Sequence, residues 1–192
     1  MDRLKGKVAI VTGGNSGVGA ATAMMFAKEG AKVVISARRQ AQLEEVAAKI
    51  RAEGGEVLPV VCDISKHEDV KRLMTETVTA FGKVDILVNN AGILDEGLKA
   101  IDKVEDDVIS RVGDINTKGT MFCIQEAVAE MSKVGSGSIV NVASVAGVMG
   151  CGGAAYVASK AAVVGVTKHT ALRFAGRASA AMWYVPDPSP PL

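Results

Sequence analysis

Tyr156 and Lys160 stand four residues apart in the run Tyr-Val-Ala-Ser-Lys, a spacing that puts two side chains on one face of a helix. A free phenol ionises near ~10, too high for efficient acid–base work at neutral pH. An ammonium on the same face favours the phenolate and lowers that value. A helix N-terminus adds potential of the same sign. The pair therefore suits proton transfer. Ser144, twelve residues earlier, offers a hydroxyl expected to meet the phenol across a strand–helix loop.

A second group of residues suits an anion. Thr12-Gly13-Gly14-Asn15-Ser16-Gly17-Val18-Gly19 follows an apolar run of strand length and precedes a helical pattern. Glycines there permit positive φ and let backbone N–H groups approach a phosphate, with the helix N-terminus behind them. The same glycines would also serve a tight strand–helix turn that holds nothing. No Gly-Lys-Ser/Thr follows, which disfavours a nucleoside-triphosphate loop. Gly13, Asn15, Ser16, Gly17, Val18 and Gly19 are the candidate pyrophosphate contacts. The second strand then ends Ile35-Ser36-Ala37-Arg38-Arg39, with no carboxylate before Glu44. An acidic residue at that place bonds the ribose 2′-hydroxyl of NAD, whereas arginine accommodates the 2′-phosphate of NADP. NADP(H) is thus preferred through Arg38, and NAD(H) stays possible. Asp63-Ile64 closes the third strand at the same edge, where it borders an adenine pocket or Asp63 caps the next helix.

The elements needed to bring these groups together are legible as alternating patterns. Strands are expected at 7–12, 32–36, 56–61, 84–88 and 138–142. Helices are expected from the glycine turn to about 29, and at 40–53, 66–81, 105–132 and 156–174. Alternating β and α elements imply a parallel sheet covered by helices on both faces. With right-handed crossovers, the fold class is α/β, a Rossmann-type doubly wound sheet. In such a sheet ligands bind at the carboxyl ends of strands, where Ser144 and Tyr156 then both fall.

The chain has 192 residues, 48% of them hydrophobic, 22% charged and 4% aromatic, with formal net charge +1. That balance removes the electrostatic case for nucleic acid or an acidic membrane surface. No apolar run is long enough to span a bilayer, and the first residues do not resemble a secretory signal. Cys62, Cys123 and Cys151 are widely spaced and odd in number, which argues against a disulfide scaffold and for a reducing, cytoplasmic setting. With only His67 and His169, no metal site is expected. Both histidines read as exposed helix residues, and Cys151 as a small residue of a glycine-rich loop.

Taken together, the glycine turn, Asn89-Asn90-Ala91-Gly92, Asn116 within Asn-Thr-Lys-Gly, Ser144 and the Tyr156–Lys160 run resemble the short-chain dehydrogenase/reductase family, in order, over residues 1 to about 177. The resemblance implies an oxidoreductase that interconverts a secondary alcohol and a ketone by hydride transfer. Tyr156 would be the general acid/base and Ser144 would orient the carbonyl. Lys160 would lower the tyrosine pKa and bind the nicotinamide ribose, and Asn116 would anchor a water of the proton relay. Asn90, Ala91 and Gly92 would contact the cofactor. A homodimer or homotetramer acting on a small-molecule carbonyl or alcohol is the implied assembly. Two positions depart from the pattern: Ser16 stands where many NADP-dependent members carry a basic residue, and Ala143-Ser144 offers one serine where many have two.

Residues 178–192 read differently from the domain at 1–177. They hold the single Trp and four of the five prolines, without helical or strand periodicity. Family members continue with further strands, a Pro-Gly loop and a substrate-covering segment, so the sheet is expected to lack its last strands, leaving the fifth strand as an unpaired edge. Met182-Trp183-Tyr184 requires ATG TGG TAY. Read one base earlier, 177–188 allows Gly-Ile-Arg-Cys-Asn-Val-Val-(Cys/Arg)-Pro-Gly, which resembles the family's own continuation. The tail is therefore expected to be frameshifted, a reading that the coding DNA tests. The alternative function is a truncated, catalytically inert cofactor-binding domain.

Overall fold

The computed structural model describes residues 2–175 and 179–184. Six parallel strands form one sheet in the order β3-β2-β1-β4-β5-β6. They are β1 Val8–Thr12, β2 Lys32–Ala37, β3 Val57–Val61, β4 Ile86–Asn89, β5 Gly137–Val142 and β6 Ser179–Tyr184. All five residues of β1 are buried, as expected for a central strand covered on both faces. Alternate side chains of one strand serve opposite layers. Ile10 packs with Leu73 of α3 (His67–Phe81) and Met131 of α5 (Thr120–Val134). Its neighbours Ala9 and Val11 pack with Ala23 of α1 (Gly17–Lys28) and with Leu43 and Ile50 of α2 (Gln40–Ala52). Pro59 lies on the edge strand β3, opposite Ile35, a position where a missing N–H costs least.

Helix ends follow local chemistry. Helix α3 starts with Glu68 and Asp69 in its first turn, which complement the positive end of the dipole, and stops at Gly82 with φ +83°. The helical region expected at 105–132 is a single path with a change of pitch: α4 (Asp106–Val112) passes through a π-helical segment, Gly113–Gly119, into α5. After β5 come a one-turn helix, α6 (Ala146–Met149), and the long α7 (Ala154–Phe174).

Two expectations are corrected. The sheet does not end at β5, because Gly137–Val142 pairs residue for residue with Ser179–Tyr184. Parallel pairing draws only on backbone N–H and C=O groups, and 179–184 contains no proline; the four tail prolines all follow it. The expected boundary at 177/178 and the remainder of the tail lie outside the described residues. His67 is not exposed. It is half-buried at the start of α3, 2.7 Å from Glu126 through Nε2 and stacked 4.3 Å from the Phe122 ring, tying α3 to α5. His169 is exposed as expected.

The strand order reverses between β2-β1 and β4-β5, so a crevice opens at the carboxyl ends of β1 and β4. Beneath it, Asn89 donates to Asn141 at 2.8 Å, and Asn141 donates to Thr167 of α7 at 2.8 Å. This buried chain fixes β4, β5 and α7 in register below the crevice.

Candidate active site

The crevice is a cleft of about 300 Å³. Most of its wall comes from the ends of strands, Gly13, Asn15 and Ser16 after β1, Ser36 to Arg39 at β2, Cys62 to Ile64 at β3, and Asn90 to Ile93 at β4, and Ile115 of the π-helical segment completes it. Of the predicted binding residues, Gly13, Asn15, Ser16, Arg38, Asp63, Ile64, Asn90, Ala91 and Gly92 are thereby brought together. Gly17, Val18 and Gly19 lie outside its lining, as do Tyr156 and Lys160. Gly19 instead is buried in the turn, and Val18 is exposed.

The glycine turn is locked onto the β4 loop. Thr12 Oγ1 accepts from the N–H groups of Asn90 and Ala91, each at 3.1 Å. Asn90 Nδ2 donates to the carbonyls of Thr12 at 3.0 Å and Gly13 at 3.3 Å. Gly13 has φ +66°, where a side chain is strained. At Gly19 a Cβ would overlap the Gly13 carbonyl oxygen and lie 2.5 Å from Asn90 Nδ2. The backbone of the turn is thus held open toward the cleft by two strands at once.

Ser36 is 1% exposed and among the described residues its Oγ has no hydrogen-bond partner, although it lines the cleft. A buried hydroxyl in that condition calls for a polar occupant. Arg38 and Arg39 are exposed at the same edge. Asp63 borders the cleft but does not cap α3: its Oδ1 accepts from Ser65 N–H at 3.1 Å and Ser65 Oγ at 2.7 Å, closing the turn ahead of the helix, whose N-cap is Lys66. Burial pushes the Cys62 thiol up to about 12, so it is an inert wall.

The residues expected to transfer a proton lie beside this cleft, at the start of α7. Lys160 is 6% exposed and donates to the carbonyl of Val142, the last residue of β5, at 2.8 Å. Its Nζ is 5.7 Å from the centroid of the Tyr156 ring, so the four-residue spacing does bring ammonium and phenol together. Burial lowers the Lys160 pKa to about 8. Asn116 sits in the π-helical segment, a feature often found at functional sites. Its side chain pairs with both backbone groups of Ile93, accepting and donating at 2.8 Å, and donates to Ser159 Oγ at 3.0 Å. Ser159 in turn donates to the Tyr156 carbonyl at 2.8 Å. Gly92 leaves room at this junction, since a Cβ there would stand 3.2 Å from Asn116 Oδ1 and 3.5 Å from Lys160 Nζ. Ser144 accepts from Ala146 N–H at 3.2 Å. Among the described residues it forms no hydrogen bond with Tyr156, because its hydroxyl closes the turn into α6.

Several contributors to the cleft lie outside the motifs. Thr12 and Ser36 adjoin motifs and carry a hydroxyl at a strand end, a signal that was present. Ile93 and Ile115 line the cleft without any sequence mark.

Comparison with known proteins agrees with this geometry. The family described as short chain dehydrogenase matches residues 7–181, a span that runs past the expected boundary into β6. A 3beta-hydroxysteroid dehydrogenase of Mediterraneibacter gnavus is 43% identical over 176 residues, covering 91% of this chain and 63% of that protein. A 3-oxoacyl-[acyl-carrier-protein] reductase FabG of Thermotoga maritima is 40% identical, covering 91% of this chain and 71% of the relative. The crystal structure of an NAD+-bound xylitol dehydrogenase superposes with a TM-score of 0.91 at 34% identity, over 96% of this chain and 71% of that one. The chain thus spans somewhat under two thirds of the hydroxysteroid dehydrogenase and just over two thirds of the other two.

Proposed function

The chain belongs to the short chain dehydrogenase family, and on that premise we propose that it interconverts a secondary alcohol and a ketone with NADP(H), using Tyr156 as general acid/base. The observation that carries the proposal is the convergence of Tyr156, Lys160 and Asn116 beside Gly92, a residue that also lines the cleft together with Gly13 of the glycine turn.

The cleft fits a dinucleotide. The Ser36 hydroxyl, without a partner among the described residues, and the backbone of the glycine turn offer polar groups to such a ligand. When bound, the nicotinamide would supply or accept the hydride. Arg38 and Arg39 support NADP(H) over NAD(H), since guanidinium forks match phosphate geometry. Tyr156 exchanges a proton with the substrate oxygen. Lys160, with its pKa lowered to about 8, remains mostly cationic at neutral pH and favours the phenolate form. Its bond to Val142 fixes the ammonium to the sheet. Ser144 orients the carbonyl by turning its hydroxyl from Ala146 toward the substrate. Asn116 holds Ile93 and the first turn of α7 in place and anchors the proton relay. Exposed Ile109 and Met121 on α4 and α5 and exposed Leu172 on α7 support assembly of copies through these helices.

NADPH titration of the purified chain and of Tyr156→Phe tests the proposal, followed by a screen for carbonyl reduction. The two proteins should bind NADPH equally, while turnover in the variant falls at least about 10²-fold. A folded chain that fails to bind NADPH would refute the cofactor assignment. Binding without turnover of any ketone would favour the inert cofactor-binding domain.

A further inference from the structure

Asp95 belongs to none of the motifs above. It lies in the loop after β4, three residues beyond Gly92, and is 2% exposed. Its Oδ2 accepts from the backbone N–H of Tyr156 at 3.4 Å, and among the described residues its Oδ1 has no hydrogen-bond partner. The carboxyl group rests against Gly153: a Cβ built there would fall within the carboxylate itself. Gly153 has φ −72° and ψ 146°, a conformation open to any L-residue. Glycine is required at 153 because of Asp95, not because of the backbone.

The contact answers a need of α7. First-turn amides have no partner inside a helix, and α7 has no acidic residue in its first turn and no side-chain cap. Two of its amides are served by a single distant loop, Ala154 N–H by the Lys99 carbonyl at 2.9 Å and Tyr156 N–H by Asp95. That loop is held at its other end by Asn116, through both backbone groups of Ile93. Within it, Gly97 and Leu98 take positive φ, 74° and 47°, an unfavourable turn for leucine that the flanking bonds sustain. The residue whose backbone the carboxylate engages is the one that carries the phenol.

We propose that Asp95 is a positioning residue for Tyr156: its carboxylate caps α7 from the β4 loop, seats on Gly153, and sets where the phenol stands over the cleft. The proposal rests on the reading of Tyr156 as the acid/base group.

Asp95→Ala, Asp95→Asn, Gly153→Ala and the double variant Asp95→Ala/Gly153→Ala, each in the full chain, test it by four readouts. These are amide exchange across 154–160, thermal midpoint, Kd for NADPH, and kcat and KM for reduction of acetoacetyl-coenzyme A. In Asp95→Ala, exchange at the Tyr156 amide should rise at least about tenfold, with NADPH Kd and exchange in β1 and α1 within about twofold. Its kcat should fall at least about tenfold with KM little changed, as for a misplaced acid/base group. Asp95→Asn keeps an acceptor for the Tyr156 amide and should retain kcat within about threefold. Gly153→Ala should lower the thermal midpoint in the parent chain and leave it unchanged in the Asp95→Ala background, where the methyl group has room. Equal damage from Gly153→Ala in both backgrounds, or unchanged exchange and kcat in Asp95→Ala, would overturn the assignment. If the parent chain binds NADPH but reduces nothing, the catalytic reading fails by itself, and exchange together with the Gly153 cycle still decides whether Asp95 fixes the start of α7.

Discussion

Two alanine substitutions in the glycine turn, only two residues apart, should differ in cost because different physics makes each glycine necessary. Gly19 is buried in α1, and a Cβ there would overlap the Gly13 carbonyl oxygen and stand 2.5 Å from Asn90 Nδ2. The nearest atoms are backbone and a pinned amide, so relief requires opening the turn by about 1 Å, an overpacking cost of roughly 1–3 kcal/mol. The movement also strains the Asn90 bonds to Thr12 and Gly13, at about 1 kcal/mol each. Gly19→Ala should therefore lose about 3–5 kcal/mol. At 2–4 °C per kcal/mol for a chain of this size, that is a midpoint lower by roughly 10 °C. Gly17 has φ +52°, but an added methyl group would meet nothing within 4 Å, so Gly17→Ala costs only the left-handed conformation, about 1 kcal/mol or 2–4 °C. Thermal unfolding by circular dichroism measures both, and NADPH titration should show the Gly19 variant weakened at least about tenfold. A Gly19→Ala midpoint within about 1 °C of the parent, or a larger loss for Gly17→Ala, would refute the two-strand lock.

Two further outcomes follow from charge. Lys160→Met should abolish turnover yet stabilise the fold at pH 7. Burial lowers the Lys160 pKa from 10.5 to about 8, so holding the ammonium in the folded state costs on the order of 3 kcal/mol. Loss of the bond to Val142 offsets about 1 kcal/mol of the relief, leaving a net gain of about 2 kcal/mol. Below pH 8 both states of the parent chain are protonated and the penalty is whole. Between pH 8 and 10.5 the unfolded chain binds more protons, so parent stability rises and the advantage of Met should shrink; denaturant unfolding at pH 7 and pH 10 checks the sign. Arg38→Ala should weaken NADPH about tenfold and leave NADH unchanged, measured by paired fluorescence titrations; equal loss for both cofactors would remove Arg38 from the phosphate site.

What could be read in advance is what local pattern decides. The apolar run at β1 and the i, i+3, i+4 and i+7 positions Leu43, Val46, Ala47 and Ile50 of α2 must face a core wherever they are placed, so the alternation of strands and helices was legible. Gly13, Arg38 and Gly92 could be placed at strand ends because such ends are where a parallel sheet binds ligands. The edge strand β6 was missed because pairing at an edge asks little of side chains, and periodicity reports only side chains. His67 was misplaced for a related reason: its partners Glu126 and Phe122 lie some sixty residues away, and nothing near it in sequence announces them. Asp95 and Gly153 carry the point furthest. Each alone is an ordinary loop residue, an acid and a glycine 58 positions apart. Only contact shows that the glycine exists to admit the acid, and that the acid supplies a cap which the helix bearing Tyr156 cannot provide for itself. The residues proposed to perform the chemistry are local in sequence, at 156 and 160. Their surroundings are set by tertiary contact, through Asn116 on one side and Asp95 on the other, which is why motif spacing points to the candidate site but cannot describe how it is kept in place.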